Sequence, residues 1–141
     1  MKVMVVGFAH NNRQAVLLIS KRKPEWMKGR LNGVGGKVHA SELPYQAMVR
    51  ECNEETGLFI TTWNMFCVMQ TQDCVVYFYE ADIKDSVFKF KQKEKEELCV
   101  CSVYTLGTNP VLPNLRWLIP LALDEEIKKP VFVEADICFK R

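Results

Sequence analysis

The sequence predicts a single α/β (α+β) domain, residues 1–141, in which strands and two helices are arranged around one sheet. Three observations lead to this fold class. The chain is 141 residues long, which is typical of one domain with its own hydrophobic core. Its 48% hydrophobic and 26% charged residues are ordinary for a globular protein. Strand-like segments alternate with helical ones, and the sequence contains no repeat, linker or low-complexity segment.

Short runs rich in Val, Ile, Phe and Tyr predict the strands. The predicted strands are, in chain order, 2–9, 15–22, 58–70, 73–83, 98–106 and 130–139. The first two are expected to form a hairpin, because residues 10–13 (His-Asn-Asn-Arg) are typical of a turn. His10 is interpreted as a turn residue rather than a metal ligand, since no second His or Cys stands nearby at metal-binding spacing.

Two helices complete the predicted fold. The first spans residues 44–56, because Pro44 suits a first helical turn and Gly57 is well placed as the residue that ends the helix. The second spans residues 114–124 and is expected to bend or begin near Pro120, whose ring disturbs a helix interior.

Charge and cysteine content exclude several classes of protein. A net charge of +2 does not by itself provide a nucleic-acid-binding surface. The six cysteines form no CxxC pair and no zinc-binding spacing, and Cys99 and Cys101 would share one face of a strand as small core residues. Reduced thiols and an intracellular, cytoplasmic protein are therefore expected, with disulfide bonds as the alternative. The apolar start of the chain is too short to span a membrane, and no signal cleavage site follows it.

The chemistry is concentrated in residues 36–58, GKVHASELPYQAMVRECNEETGL. On the predicted helix, Glu51, Glu54 and Glu55 are spaced i, i+3 and i+4, so their carboxylates share one side. Like charges four residues apart destabilise an isolated helix by roughly 0.2–0.5 kcal/mol, and Arg50 is the one cation within it. A bound divalent ion such as Mg²⁺ or Mn²⁺, which suits carboxylate oxygens, would relieve this repulsion. A solvated acidic face is the alternative.

Three neighbouring segments leave alternatives open. Basic residues 21–23 are either a surface patch or a means of attracting polyphosphate. The glycine-rich residues 31–38 allow close backbone approach to a ligand, but their spacing matches neither a Walker loop nor a dinucleotide-binding fingerprint. The charged residues 84–97 are either a solvated loop or the source of a further metal ligand. The glutamates considered for that role are Glu94, Glu96 and Glu97.

Residues 36–58 resemble the signature of the Nudix hydrolases at every defined position. The matching residues are Gly36, Glu42, Arg50, Glu51, Cys52, Glu54, Glu55, Gly57 and Leu58. The family's fold, a mixed sheet sandwiched between helices, is consistent with the predicted elements. The metal ligands that the resemblance implies are Glu51, Glu54, Glu55 and the backbone carbonyl of Gly35, with Glu96 or Glu97 as further candidates. Glu42 and Arg50 are implied as supporting residues, Arg50 positioning the carboxylates by charge-assisted hydrogen bonds.

A weaker likeness extends over most of the chain. Residues 29–38 (GRLNGVGGKV) resemble the segment that precedes the signature in the branch hydrolysing oxidised purine nucleoside triphosphates. The substrate-binding residues implied by this likeness are Lys21, Trp26, Asn32, Gly36, Lys37, Asn114 and Trp117. Asn32 aligns with an asparagine that binds the purine and Trp117 with an aromatic near the base; a turn asparagine and a core tryptophan are the alternatives. Leu31 and Asn114 depart from that branch, which leaves the preferred base open.

The resemblance implies Mg²⁺-dependent hydrolysis of (deoxy)nucleoside triphosphates to a nucleoside monophosphate and pyrophosphate, with removal of oxidised purine nucleotides as one role. Water is the nucleophile, and Glu54, or failing it Glu96 or Glu97, takes its proton. One alternative is hydrolysis of another nucleoside diphosphate derivative: a nucleotide sugar, a dinucleoside polyphosphate or an mRNA cap. Another is a non-enzymatic nucleotide sensor. The expected partner is the small nucleotide, without nucleic acid or membrane, and a monomer or homodimer is expected.

Overall fold

The computed structural model describes residues 1–20, 22, 25–92 and 96–135, apart from the side chain of Trp26. The strands within these residues are β1 (Lys2–Asn11), β2 (Ala15–Ser20), β3 (Leu31–Asn32), β4 (Val34–Lys37), β5 (Asn64–Gln70), β6 (Cys74–Asp82), β7 (Leu98–Ser102) and β8 (Val131–Glu134). The α-helices are α1 (Pro44–Thr56) and α2 (Leu115–Leu123), and short 3₁₀ helices cover Glu25–Met27, Lys84–Phe88 and Val103–Thr108.

All of these strands belong to one mixed sheet. Its main path runs β3-β2-β1-β6-β5-β8, while β4 pairs with β1 and β7 pairs with β2. The β1–β6 and β5–β8 pairs are parallel, and the remaining pairs are antiparallel. The predicted hairpin of the first two strands is confirmed by the antiparallel β1–β2 pairing.

Side chains that alternate along the strands build a separate core on each face of the sheet. On β2, Val16 and Leu18 pack on one face, whereas Leu17 and Ile19 pack on the other. The first face is covered by α2, whose buried residues are Leu115, Leu118, Ile119 and Ala122. The second is covered by α1 through Ala47, Met48 and Cys52. The sheet therefore lies between two helices, and the predicted fold class is confirmed.

The first helix has the predicted bounds, 44–56. Its end is fixed by Gly57, which has a φ of 77° and donates its N–H to the carbonyl of Asn53. The second helix begins at Leu115, so the alternative that it begins near Pro120 is wrong. None of the helices in the described part of the chain has the length and apolar character needed to cross a membrane.

Several predicted boundaries are corrected by the structure. The strand predicted over 58–70 begins only at Asn64, and that predicted over 98–106 ends at Ser102, where a 3₁₀ helix follows. The strand predicted over 130–139 is Val131–Glu134, and residues 136–139 lie outside the described residues. Residues 31–38, predicted only as glycine-rich, form β3 and β4.

The assignment of His10 to a turn is wrong. His10 lies within β1, because parallel pairing with β6 continues as far as His10↔Asp82. Its imidazole is buried, and Nε2 lies 2.7 Å from Oε1 of Glu80. Nδ1 accepts the N–H of Arg13 at 3.0 Å. A partly exposed carboxylate partner and a backbone donor thus satisfy this buried polar side chain within the sheet.

Candidate active site

Two glycines of β4 allow the acidic side of α1 to lie close to the sheet. Gly35 pairs with Val6 of β1 at a φ of 153°, where a Cβ would overlap the backbone carbonyl of Val5. A side chain at this position is therefore excluded. A Cβ on Gly36 would instead overlap the carboxylate of Glu51, so this carboxylate rests directly against the β4 backbone.

Arg50 is the centre of the acidic network and is held mainly by Glu42. Its Nε donates to Glu42 Oε2 at 2.6 Å, and its Nη2 donates to Glu42 Oε1 at 2.9 Å. Nη2 also donates to the Lys37 carbonyl at 3.0 Å, which ties the guanidinium to the end of β4. A two-point contact of this kind fixes both the position and the plane of the guanidinium.

Both members of the Glu42–Arg50 pair are strongly held in their charged forms. Hydrogen bonds from the Arg50 guanidinium and from the His39 N–H lower the pKa of Glu42 to about 2. The Glu42 hydrogen bond, and to a smaller extent Glu51, raise the pKa of Arg50. This pair is therefore ionised at neutral pH.

Arg50 also contacts two glutamates of its own helix, and the two contacts differ. Nη1 donates to Glu51 Oε1 at 2.7 Å, and the Glu51 side chain is 15% exposed. The same Nη1 lies 3.3 Å from both oxygens of Glu54, whose side chain is 57% exposed. The second contact is long for a charge-assisted hydrogen bond, and an exposed pair of this kind contributes little. Glu54 is thus the more easily released of the two.

Glu55 is anchored to β4 rather than to Arg50. Its Oε1 accepts the N–H of Gly35 at 2.8 Å. The third carboxylate of the helix therefore lies beside Gly35, the residue whose carbonyl the family resemblance implies as a ligand.

The donor chemistry fits a hard divalent ion, although the carboxylates do not yet converge. Within residues 1–20, 22, 25–92 and 96–135, no three His, Cys, Asp or Glu side chains form a group that could hold a metal as they stand. Glu51 and Glu54 flank one nitrogen of Arg50, so both would have to turn away from it to share an ion. Since Glu42 holds Arg50 through two hydrogen bonds, such a rearrangement would need only rotations of the two glutamate side chains.

The structure brings two of the predicted substrate-binding segments together. Asn32 is buried in β3 opposite Ile19, so it is not a turn residue, and its Oδ1 accepts the N–H of Gly33 at 2.8 Å. Leu31, the residue before Asn32, is hydrogen-bonded to the segment that precedes α2. Its N–H donates to the Pro110 carbonyl at 2.8 Å, and its carbonyl accepts the N–H of Leu112 at 2.9 Å.

Asn114 and Trp117 lie on the helix that follows that segment. The carbonyl of Asn114 accepts the N–H of Leu118 at 3.0 Å as the helix begins. Trp117 is 43% exposed, so the alternative of a core tryptophan is wrong. Ile19, which pairs with Asn32, packs on the face of the sheet covered by α1, whereas α2 covers the opposite face. A pocket that contains both Asn32 and Trp117 would therefore have to extend around β3.

The remaining predicted site residues are Lys21, Trp26, Glu94, Glu96 and Glu97. Lys21 and Glu94 lie outside the described residues, and Trp26 is located only by its backbone in a 3₁₀ helix. Glu96 and Glu97 accept hydrogen bonds at their carbonyls, from Gln92 and from the Ser20 N–H. Neither joins a metal-binding group in the part of the chain that the structure describes.

Backbone groups complete the network, and no side-chain pattern could have revealed them. The Lys37 carbonyl holds Arg50, and the His39 N–H donates to Glu42 at 2.9 Å. An open groove of about 970 Å³ adjoins this network, with Lys2, Lys37 and Tyr77 among its lining residues. Its lining carries both signs of charge, with Lys2 and Lys37 beside Glu42 and Asp73.

Comparison with known proteins identifies the family. A model of the NUDIX domain matches residues 1–119. No curated protein matches the sequence. A NUDIX hydrolase from Nitrosomonas europaea shares the fold with a TM-score of 0.75 and 18% identity, over 96% of this chain and 78% of that chain. A MutT structure described for Aliivibrio salmonicida and Vibrio cholerae has a TM-score of 0.72 and 21% identity, over 86% and 96%.

A third solved structure carries a different description. An ADP-ribose pyrophosphatase from Streptococcus suis has a TM-score of 0.71 and 15% identity, over 93% of this chain and 98% of that chain. At these identities the structures establish the fold alone, whereas the domain match covers most of the sequence, including the whole of residues 36–58. The chain therefore belongs to the Nudix hydrolase family.

Proposed function

We propose that the chain hydrolyses nucleoside triphosphates to a nucleoside monophosphate and pyrophosphate with the help of Mg²⁺. Nudix hydrolases act on pyrophosphate bonds and generally use divalent ions such as Mg²⁺. The observation that carries the proposal is the network around Arg50, in which one guanidinium faces the carboxylates of Glu42, Glu51 and Glu54. These four side chains carry a net negative charge that a divalent ion would offset.

The proposed ligands are Glu51, Glu54 and Glu55 together with the Gly35 carbonyl. When bound, Mg²⁺ supplies positive charge that offsets the charge of the phosphates and activates water. Glu55 is held by the Gly35 N–H, and the Glu51 carboxylate lies against Gly36. Glu54 is the most exposed of the three, and we assign to it the acceptance of a proton from the attacking water.

Substrate binding is proposed to use both sides of this site. Lys2 and Lys37 in the adjoining groove would attract the negatively charged phosphates. Asn32 would contact the base, after its Oδ1 exchanges the Gly33 N–H for a hydrogen bond with the ligand. Glu42 and Arg50 would act as positioning residues, because Glu42 holds Arg50 and Arg50 contacts the carboxylates of the helix.

The test is pyrophosphate release from a panel of normal and oxidised deoxynucleoside and ribonucleoside triphosphates. The proposal predicts turnover that depends on Mg²⁺ and falls by at least about 100-fold in Glu54→Gln, as expected for loss of a group that transfers a proton. The matched control is Glu134→Gln, which removes an exposed carboxylate of β8 and should leave turnover unchanged. Full turnover in the presence of a chelator would contradict the proposal.

A second substrate class is favoured by one comparison. The Streptococcus suis protein of the same fold is described as an ADP-ribose pyrophosphatase. ADP-ribose and a nucleotide sugar therefore belong in the same panel, with nucleoside monophosphate as the product measured. If these compounds are hydrolysed in a metal-dependent reaction and the triphosphates are not, the proposed catalytic residues stand and the proposed substrate is replaced by this second class.

A further inference from the structure

Two cysteines of β7 form a close pair of thiols on the face of the sheet opposite α1. Cys99 and Cys101 stand two residues apart on the strand, so their side chains point to the same face. Their Sγ atoms are 3.5 Å apart. Cys101 is 8% exposed and belongs to the core beneath α2, and the half-buried Cys99 packs against that core. Both are free thiols.

The two cysteines lie on a strand that forms an edge of the sheet in the described part of the chain, and small molecules can reach it from its unpaired side. β7 pairs with β2 through Cys99↔Leu18 and Cys101↔Val16. In the described ranges of the chain it has no second neighbouring strand, so one edge of β7 is not covered by pairing. The partial exposure of Cys99 marks the side from which a small molecule can approach.

The strand geometry opposes a direct disulfide between these thiols. Residues two apart on an extended strand have Cα atoms about 6.6–7 Å apart, whereas disulfides usually need about 4.4–6.8 Å. The strand would have to shorten while it remains paired to Leu18 and Val16. If a single atom bridges the two sulfurs, the strand does not have to shorten, because each sulfur bonds to the bridging atom and not to the other sulfur.

We propose that Cys99 and Cys101 form a chelating site for a trivalent thiophilic metalloid, arsenic(III) or antimony(III). Sulfur ligands select soft elements over the hard ions that carboxylates bind. Sulfurs in mutual contact suit a bent bridge through one atom, and not a linear ion such as Hg(II), which holds its two sulfurs on opposite sides. After the first sulfur binds, the second bond forms within the molecule, which raises the overall affinity by roughly 10²–10⁴-fold.

The binding step with phenylarsine oxide balances without any oxidant. Two S–H bonds and the As=O bond break, two As–S bonds form, and the oxygen leaves as water with both protons. Arsenic and sulfur keep their oxidation states. Burial, followed by the hydrogen bond with Cys101, raises the pKa of Cys99 to about 12, so alkylating agents that need a thiolate should react slowly here.

The experiment titrates the full-length reduced protein with phenylarsine oxide and counts adducts by intact-mass spectrometry. The proposal predicts one tight adduct per chain, formed with loss of one water and reversed by a small dithiol. Cys99→Ser and Cys101→Ser should each weaken binding by roughly 100-fold, since one thiol cannot chelate.

Two controls keep the outcome decisive. Cys74→Ser removes a partly buried thiol of β6 and should bind as the unmodified chain does. Cys99→Ala repeats the key substitution without a new hydroxyl, and circular dichroism verifies the fold of each variant. Absence of an adduct on the folded chain, or unchanged affinity in a folded Cys99 variant, would overturn the proposal. Because no nucleotide is used, this outcome is independent of the proposed hydrolysis.

Discussion

Arg50 is held more firmly by Glu42 than by Glu54 of its own helix. The two short hydrogen bonds to Glu42 contrast with the 3.3 Å contacts to Glu54. The sequence predicted the acidic side of this helix from spacing alone. It could not predict that Arg50 would stand between Glu51 and Glu54, because that depends on the backbone groups of Lys37 and His39 that fix the pair.

Gly36 provides a test of the close approach between β4 and Glu51. In Gly36→Ala the new Cβ would displace the Glu51 carboxylate, which is the movable end of a side chain, so the fold should survive. We expect nucleotide turnover to fall by about 100-fold, the loss that a misplacement of about 1 Å produces at a catalytic site. The measurement is kcat/KM together with the melting temperature.

The matched control is Gly107→Ala, because a Cβ there meets no atom within 4 Å. This variant should keep its turnover within about twofold. Equal activity of the two alanine variants would show that the contact between Gly36 and Glu51 has no functional role.

Asp82 makes stability depend on acid pH. Burial alone would raise its pKa, but hydrogen bonds from Lys84 and from the Asn12 N–H lower the pKa to about 2, from 3.8. A carboxyl group whose pKa is lower in the folded than in the unfolded protein stabilises the fold at pH values above the unfolded pKa. This stabilisation is lost as the pH falls from 3.8 towards 2. Asp82→Asn should therefore lower the free energy of unfolding by about 1 kcal/mol at pH 6, and by much less at pH 2.5.

Urea unfolding of both proteins at the two pH values checks this prediction. A difference between the proteins that persists undiminished at pH 2.5 would mean that the carboxylate charge is not its source.

At the scale of elements, α1 was predicted to its last residue, whereas the strands after it were not. Pro44 and Gly57 are strong local signals, and Cys52 meets the apolar requirement of its position by lying fully buried in the core. The missed strands β3 and β4 contain only two and four residues, and glycine gives no strand pattern. They exist because β2 and β1 provide partners for them.

Met48 anchors α1 to the sheet and allows a stability test of that packing. It is fully buried, and its sulfur and methyl group fill the space above Gly7, beside Trp63. Met48→Ala should lower the free energy of unfolding by about 2–5 kcal/mol, since the cavity cannot collapse fully. The control Leu43→Ala, at an exposed residue of the same region, should change it by less than about 0.5 kcal/mol. Equal effects in urea unfolding would contradict the packing described here.

At the scale of the whole molecule, hydrophobic alternation was enough to predict one sheet with helices packed against it. It could not predict the parallel β1–β6 pairing, which joins residues some seventy positions apart in the chain. That pairing extends β1 through His10 and made the turn interpretation of this residue wrong. The separation of α1 and α2 onto opposite faces likewise follows from pairing, and it sets Trp117 apart from the acidic network.

We propose that Glu51, Glu54 and Glu55 bind a divalent ion once Glu51 and Glu54 turn away from Arg50. The most direct measurement is the binding of Mn²⁺ to the chain without nucleotide, followed by the loss of the free-ion signal in electron paramagnetic resonance. We expect saturable binding that Mg²⁺ displaces and that the double variant Glu51→Gln/Glu54→Gln lacks, while Glu134→Gln retains it. Equal binding by the folded double variant, or no saturable binding by the unmodified chain, would contradict the account.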